Sequence, residues 1–193
     1  MSNHYLKSFM IDSGAFSAWR RGEPIDLKHY IGFLEKHQGY YTSAVNLDVI
    51  PGSLTNPRPG QAVVEAAAEQ GWKNALQIRK AGLTVLPVYH MGERRYWLEK
   101  MVGEGFRYVG LSALNEATTR QKREWFDDLF SFLCGSKGYP EVKTHGFGMT
   151  VLSLMYRYPW YSVDSVTYLK IGAYGGIVVP HWDNGEYKYD DKP

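Results

Sequence analysis

Apolar and polar positions follow two periods along the chain. Short runs rich in β-branched and aromatic residues end at a polar residue or a glycine, which is typical of buried strands. This pattern predicts seven strands and a weaker eighth. The predicted strands are SFMI (8–11), SAVNLDVI (43–50), LTVLPVYH (83–90), FRYVGLSAL (106–114), EVKTHGFG (141–148), YSVDS (161–165) and GIVVP (176–180), and the weaker one is EYKY (186–189).

Between these runs, apolar residues recur every three or four positions, which predicts amphipathic helices. Thr118 with Gln121 predicts a capping box, Asn56-Pro57 predicts the start of a helix, and Gly82 predicts the end of one. The three apolar stripes are Leu27, Tyr30, Ile31 and Leu34; Val64, Ala67, Ala68, Trp72, Ala75 and Leu76; and Trp125, Leu129, Phe132 and Leu133.

The alternation of strands and helices predicts an α/β fold with parallel strands and right-handed crossovers. Seven or eight such units favour a (β/α)8-type barrel with outer helices. A barrel of this type takes about 250 residues, and the chain has 193. We therefore expect a compact or trimmed barrel that occupies residues 1–193 as a single domain.

Composition narrows the class of protein. The formal net charge of +2 does not by itself argue for a nucleic-acid partner. The single cysteine, Cys134, excludes an internal disulfide framework and a multi-cysteine zinc site, and fits a reducing, cytoplasmic compartment. The N-terminal segment lacks the apolar core of a signal peptide, and no run reaches the length of a membrane helix, so we expect no membrane partner.

Three carboxylates follow predicted strands: Asp12, Asp48 and Asp164. In parallel α/β folds, catalytic groups gather at the carboxyl ends of strands. Two carboxylates in different protonation states can divide the work at an anomeric carbon, one attacking and the other moving a proton. An aspartate directly after a strand is also common as an Asx-turn or helix cap. The functional interpretation therefore depends on the joint placement of the three.

The same residues resemble the tRNA-guanine transglycosylase superfamily, in order along most of the chain. DSGAF is similar to its Asp-Ser-Gly-Gly-Phe motif, which implies an acid–base role for Asp12. NLDVIPG is similar to its Phe-Asp-Glu-Cys-x-Pro segment, which implies base recognition by Asp48. YSVDSVTYL falls at the family's nucleophile, which implies that role for Asp164.

The resemblance also implies a base-binding set. His90 replaces a base-binding glutamine, YVGLSAL matches a strand that touches the base, and HGFGMT matches a Met-Gly-Val-Gly stretch. Aromatic rings near the site are candidates for stacking on the base. The base-binding candidates are His90, Gly110, Leu111, Ser112, Phe16, Tyr89, His145, Gly146 and Gly148, with Phe147 as a further stacking candidate.

The implied reaction exchanges guanine for a 7-deazaguanine through a covalent Asp164–glycosyl intermediate, with no cofactor and no metal. The family's Cys-x-Cys-x-x-Cys…His zinc module is absent here, and DSGAFS, PVYH, HGFG and SVDS look more like the phage and bacterial branch that modifies DNA. DNA is thus the expected partner, with tRNA as a possibility, in the cytoplasm or in the host cytoplasm for a phage protein. The basic candidates for nucleic-acid contact are Arg20, Arg21, Arg94, Arg95, Lys143 and Arg157.

Two other functions remain open from the sequence. Asp12, Asp48, His90, His145 and Asp164 also resemble the carboxylate–imidazole ligands of a metal-dependent hydrolase, although no close histidine pair is present. The chain could also be a non-catalytic nucleic-acid-binding relative that has lost an activity. The sequence leaves the oligomeric state open.

Overall fold

The computed structural model describes residues 9–53, 55–56, 59–165, 167–177, 181–183 and 186–188, which form a mixed α/β structure. The strands are β1 (Met10–Ile11), β2 (Ser43–Val45), β3 (Val85–Leu86), β4 (Val88–His90), β5 (Tyr108–Ser112), β6 (Lys143–Phe147), β7 (Ser162–Val163), β8 (His181–Asp183) and β9 (Glu186–Lys188). The helices are α1 (Ala15–Arg21), α2 (Leu27–Lys36), α3 (Gln61–Lys80), α4 (Arg95–Gly103), α5 (Thr119–Cys134), α6 (Leu152–Arg157) and α7 (Thr167–Ala173), with a 3₁₀ turn at Gly135–Lys137.

The first seven strands form two parallel sheets, in the orders β1-β2-β3 and β4-β5-β6-β7. Both sheets meet in the single segment LTVLPVYH, where Pro87 separates β3 from β4. Proline lacks the N–H that a strand ladder needs, which explains the break. The carbonyl of Pro87 still accepts a hydrogen bond from the N–H of Gly110, at 2.8 Å. One predicted strand is therefore two observed ones, and the parallel arrangement is as predicted.

The two faces of the strands have different surroundings. Side chains on the helix face, among them Ala44, Val109 and Leu111, join one large core with α2, α3, α4, α5 and α6. On the opposite face, called the inner face below, Val45, Leu86 and Val88 form a smaller apolar cluster that Met10, Tyr108 and Phe147 border. Successive residues of a strand point to opposite faces, so residues two apart share a face.

The helix predictions agree with the structure in most details. The three apolar stripes fall on α2, α3 and α5. The capping box of Thr118 and Gln121 is present, and Gly82 lies just beyond α3 with a φ of 79°. The predicted start at Asn56-Pro57 is wrong, because α3 begins at Gln61 and Gly60 is its N-cap. Pro57 itself lies outside the described residues.

The last two strand predictions have other outcomes. Most of the predicted strand GIVVP, residues 178–180, lies outside the described residues. The weak eighth strand does form as β9, but it pairs antiparallel with β8 in a separate two-stranded sheet. It is therefore not a parallel strand of the main sheets. Within the described residues, the structure shows parallel strands in two sheets but no closed barrel.

Candidate functional site

The strand register brings most of the predicted rim residues to the carboxyl ends of neighbouring strands. His90 is level with Ser112, and Ser112 is level with Phe147. Gly146 is level with Val163, so Asp164 comes next to Phe147. Because alternation places residues two apart on one face, His90, Ser112 and Asp164 extend the inner face beyond its apolar cluster. The polar residues at these strand ends therefore share one edge.

Asp12 lies at the same edge, immediately after β1. Asp12 is an exposed residue, and partial desolvation of its carboxyl raises the pKa above the ordinary value. The backbone N–H groups of Gly14 and Ser13 oppose this, and the negative charges of Asp48 and Asp164 add to it. Asp12 therefore lies within electrostatic reach of both Asp48 and Asp164. The motif DSGAF has glycine at position 14 because the N-cap of α1 has a φ of 73° there, a left-handed conformation that favours glycine. Asp12 thus has the local turn contacts of an Asx-type residue and also the two neighbouring charges.

Asp48 and His90 form a buried pair. The Nε2 atom of His90 lies 2.7 Å from the Oδ2 atom of Asp48, and the two side chains are 11% and 9% exposed. Burial by itself lowers the pKa of His90, but the hydrogen bond and charge of Asp48, with a further contribution from Glu93, outweigh it and raise the pKa. His90 therefore favours the charged form although it is buried.

Glu93 is a residue of this corner that the sequence interpretation missed. It follows β4 in the turn that the Glu93 N–H closes on the His90 carbonyl, at 3.1 Å. The residue is 7% exposed, and its Oε2 atom has no hydrogen-bond partner among the described residues. Burial raises the pKa of this carboxyl to about 7, while the charge of His90 opposes the change. One glutamate after a strand carries no pattern that marks it as buried.

The carboxylate of Asp164 is anchored through one of its two oxygens. Its Oδ1 atom accepts a hydrogen bond of 2.6 Å from the backbone N–H of Gly148, and its side chain is 53% exposed. Gly148 has a φ of 59°, a left-handed conformation that favours glycine. The glycine of HGFG therefore positions the carboxylate directly. The exposure leaves Asp164 accessible to a ligand.

His145 lies beside Asp164 in a chain of polar contacts. Its Nδ1 atom is 2.6 Å from the Oγ atom of Ser162, and the hydroxyl of Tyr108 is 2.5 Å from the same Oγ. Its Nε2 atom is 3.9 Å from Oδ1 of Asp164. Burial lowers the pKa of His145, with the charge of Asp164 opposing. Ser162 and Tyr108 were not sequence candidates, although Tyr108 lies two residues before Gly110 on β5 and Ser162 lies two residues before Asp164, which follows β7.

Tyr89 and Leu111 face away from the site. The ring of Tyr89 stacks on Trp125 of α5, with centroids 5.9 Å apart, and its hydroxyl donates to the carbonyl of Glu93. Leu111 is fully buried in the core with the helices. Both residues neighbour inner-face residues in sequence, so alternation turns them to the helix face. The structure does not bring the Tyr89 ring or the Leu111 side chain to the site.

Gly110 and Gly146 serve packing rather than an open donor surface. A Cβ atom on Gly110 would lie 2.4 Å from the Phe147 ring, and the Gly110 N–H is already used by Pro87. A Cβ on Gly146 would meet the ring of Trp160 at 3.1 Å. Side chains that pack closely over both positions explain the glycines. The expectation that the Gly110 backbone donates to a base is therefore not supported by this geometry.

A cleft of about 530 Å³ adjoins Asp48 on the side of α1 and α3. Trp19 lines it and donates from Nε1 to the carbonyl of Gly52, at 3.0 Å, which ties α1 to the loop after β2. Phe16 is 45% exposed and stacks on Trp19 at a centroid distance of 5.9 Å. Phe16, unlike the buried Tyr89, is thus a predicted stacking ring that is exposed, four residues after Asp12.

Most of the basic candidates have acidic partners. Ion pairs join Arg21 with Glu23, Arg94 with Glu65, Arg95 with Asp128, and Arg157 with Asp127. Arg20 is exposed in the last turn of α1. Lys143 lies over the Tyr161 ring at the start of β6, about 13 Å along the strand from the site edge. The structure therefore does not gather the six into one positive patch, and Lys143 is at the wrong end of its strand.

The described residues contain no group of three or more His, Cys, Asp or Glu side chains placed to share a metal ion. Asp48 with His90 and Asp164 with His145 remain two separate pairs. None of the helices in the described part of the chain has the length and apolar composition needed to cross a membrane. Comparison with protein-family models, with curated proteins and with solved structures gives no match.

Proposed function

We propose that the protein is a base-exchange transglycosylase that replaces guanine in DNA, or in another nucleic acid such as tRNA, with a 7-deazaguanine. The observation that supports this most directly is the electrostatic effect of Asp164 on Asp12, two carboxylates with different hydrogen-bond partners at one edge of the sheets. Both residues are exposed, but Asp164 accepts a hydrogen bond from a backbone N–H, whereas partial desolvation and two acidic neighbours raise the pKa of Asp12. A nucleophile and a proton donor need this difference.

In the proposed reaction, an oxygen of Asp164 bonds to the anomeric carbon while the glycosidic C–N bond breaks. The electron pair of that bond passes to the base nitrogen, protonated Asp12 gives its proton to the base, and neutral guanine leaves. A 7-deazaguanine then enters, gives its N–H proton to Asp12, and attacks the same carbon, which releases Asp164. Two displacements retain configuration. The target nucleotide must be flipped out of a duplex or lie in a single strand.

Base recognition falls to the Asp48–His90 pair, to Ser112 and to Phe16. The carboxylate of Asp48 offers acceptor oxygens to the N–H groups of a guanine-like edge, and His90 contacts its Oδ2 atom at 2.7 Å. Phe16 offers an exposed ring on which a flat base can stack. The parallel strands fit part of a (β/α)8-type barrel with its site at the carboxyl edge. A cytoplasmic location follows from this nucleic-acid substrate.

The decisive experiment is exchange of labelled guanine. The protein is incubated with labelled DNA, and separately with tRNA, in the presence of a 7-deazaguanine. We expect guanine release by the wild type, no release by Asp164→Ala, and normal release by Asp128→Ala, a control in an exposed ion pair on α5. Release by Asp164→Ala at the wild-type rate would overturn the nucleophile assignment. Binding of nucleic acid without exchange, for every donor base, would instead indicate a non-catalytic binding protein.

A further inference from the structure

The contacts of His145 assign its protonation without reference to any ligand. Burial favours the neutral imidazole, which carries one N–H. The Nε2 atom faces the Asp164 carboxylate at 3.9 Å and has no hydrogen-bond partner among the described residues. A nitrogen lone pair facing a carboxylate is repelled, whereas an N–H is attracted. Charge complementarity therefore places the proton on Nε2.

The hydroxyls on the other side of the ring can complete this assignment. If Nε2 carries the proton, Nδ1 is an acceptor and takes the Ser162 O–H at 2.6 Å. The Oγ of Ser162 then accepts the Tyr108 O–H at 2.5 Å. The opposite direction would make Nδ1 the donor and leave the lone pair of Nε2 against Asp164. Both hydroxyls are part-buried, so their contacts do not compete freely with water.

We propose that Tyr108, Ser162 and His145 form a hydrogen-bonded relay that fixes the Nε2–H tautomer of His145 and so orients the Asp164 carboxylate. Gly148 holds Oδ1 at 2.6 Å, and the Nε2–H faces the same oxygen. Oδ1 is thus the anchored oxygen and Oδ2 is the one left to react. Tyr108 and Ser162 are positioning residues, since they act through His145. The tautomer is a property of the free protein; the reactive role of Oδ2 rests on the proposed function.

The first test needs no substrate. In protein with ¹⁵N-labelled histidine, long-range ¹H–¹⁵N correlation near neutral pH distinguishes the two neutral tautomers and the charged ring. We expect the neutral Nε2–H form for His145, a mixture in Ser162→Ala, and restoration in Ser162→Thr. Tyr161→Phe is the matched control, because its ring neighbours Tyr108 but its hydroxyl is not in the relay. An Nδ1–H or charged His145 in the wild type, or an unchanged tautomer in Ser162→Ala, would overturn the proposal.

A second variant covers the case in which Ser162→Ala does not fold. Tyr108→Phe removes only the outer hydroxyl and keeps the edge contacts of the ring with Tyr161 and His145. The nearby charged or titratable groups are Asp164, Lys143 and Tyr161, and none of them changes. We expect a smaller shift toward the mixed tautomer. A spectrum identical to that of the wild type would count against the relay.

The second test measures formation of the glycosyl-enzyme in a single turnover. We expect Ser162→Ala to lower this rate about tenfold to a hundredfold at unchanged affinity for nucleic acid, because a misplaced nucleophile slows the chemical step. Ser162→Thr should recover most of the rate, and Tyr161→Phe should keep it. If the wild type forms no glycosyl-enzyme, the proposed function fails while the tautomer result stands. If Ser162→Ala matches the wild type, the relay has no positioning role.

Discussion

Two buried histidines at the same edge of the sheets have opposite behaviour. His90 has a carboxylate oxygen at 2.7 Å, and its pKa is raised; His145 has its nearest carboxylate oxygen at 3.9 Å and a hydroxyl at Nδ1, and its pKa is lowered. Burial opposes the charged form in both. The distance to the acidic partner and the burial of that partner decide the net direction, since Asp48 is buried and Asp164 is half exposed to water.

The difference divides the site into two corners. The corner of Asp48, His90 and Glu93 is a cluster of titratable side chains with little exposure, to which the proposed function assigns recognition of the base. The corner of His145, Ser162 and Asp164 places a neutral ring behind an accessible carboxylate, which suits a reacting group. The same residue type therefore has two different environments, and three substitutions test whether the division is correct.

The largest effect is expected from Asp48→Ala, which leaves His90 buried without its partner. Loss of one member of a buried pair costs about 3–5 kcal/mol in the free energy of unfolding. The raised pKa of His90 makes this contribution complete below its unfolded-state pKa, and it is lost as the pH rises through the folded-state pKa. The stability difference between the wild type and Asp48→Ala should thus be largest in mildly acidic buffer. Urea denaturation across pH measures it.

The control for this prediction is Asp128→Ala. Its partner is Arg95, and the Asp128 side chain is 62% exposed, so a loss of about 1 kcal/mol or less is expected at every pH. Equal losses in the two variants, or a loss for Asp48→Ala that does not depend on pH, would show that the Asp48–His90 pair is not charged in the folded protein.

Glu93→Gln should raise the free energy of unfolding, by an amount smaller than the loss in Asp48→Ala. The pKa of Glu93 rises from 4.5 to about 7 on folding, so between these values the folded chain keeps a proton that the unfolded chain releases. The wild type therefore loses stability as the pH rises through this window. The variant, which cannot ionise, should be more stable by about 1–3 kcal/mol above neutral pH. Denaturation curves that differ equally at low and high pH would contradict the raised pKa.

The smallest effect on stability is expected from Gly148→Ala. An alanine in the left-handed conformation costs about 1 kcal/mol. Gly82→Ala is the matched control, because Gly82 has a φ of 79° and open space at the Cβ position but lies beyond α3, away from the site. Both variants should lose similar stability by thermal unfolding. Only Gly148→Ala should slow formation of the glycosyl-enzyme, since its N–H anchors Asp164.

Local patterns in the sequence predicted the helices α2, α3 and α5 and the strands of the two parallel sheets. The stripe that begins at Val64 forms the buried side of α3. Thr118 and Gln121 form the predicted capping box at the start of α5. These features depend on neighbours three or four residues away, which a sequence displays directly. Alternation also implied that residues two apart share a face, so Ser162 could have been found from Asp164. The break at Pro87 could also have been predicted, because proline lacks the N–H that a strand ladder needs.

Only the tertiary structure decided which polar residues work together. The sequence could not show that His90 lies 2.7 Å from Asp48, that Glu93 is buried beside them, or that Trp160 fills the space over Gly146. It also could not show that the arginines on α4 and α6 pair with aspartates of α5. These contacts join residues far apart in the chain, and their distances set the burial and the pKa values. The sequence therefore identified the polar strand ends, and the fold assigned each of them its surroundings.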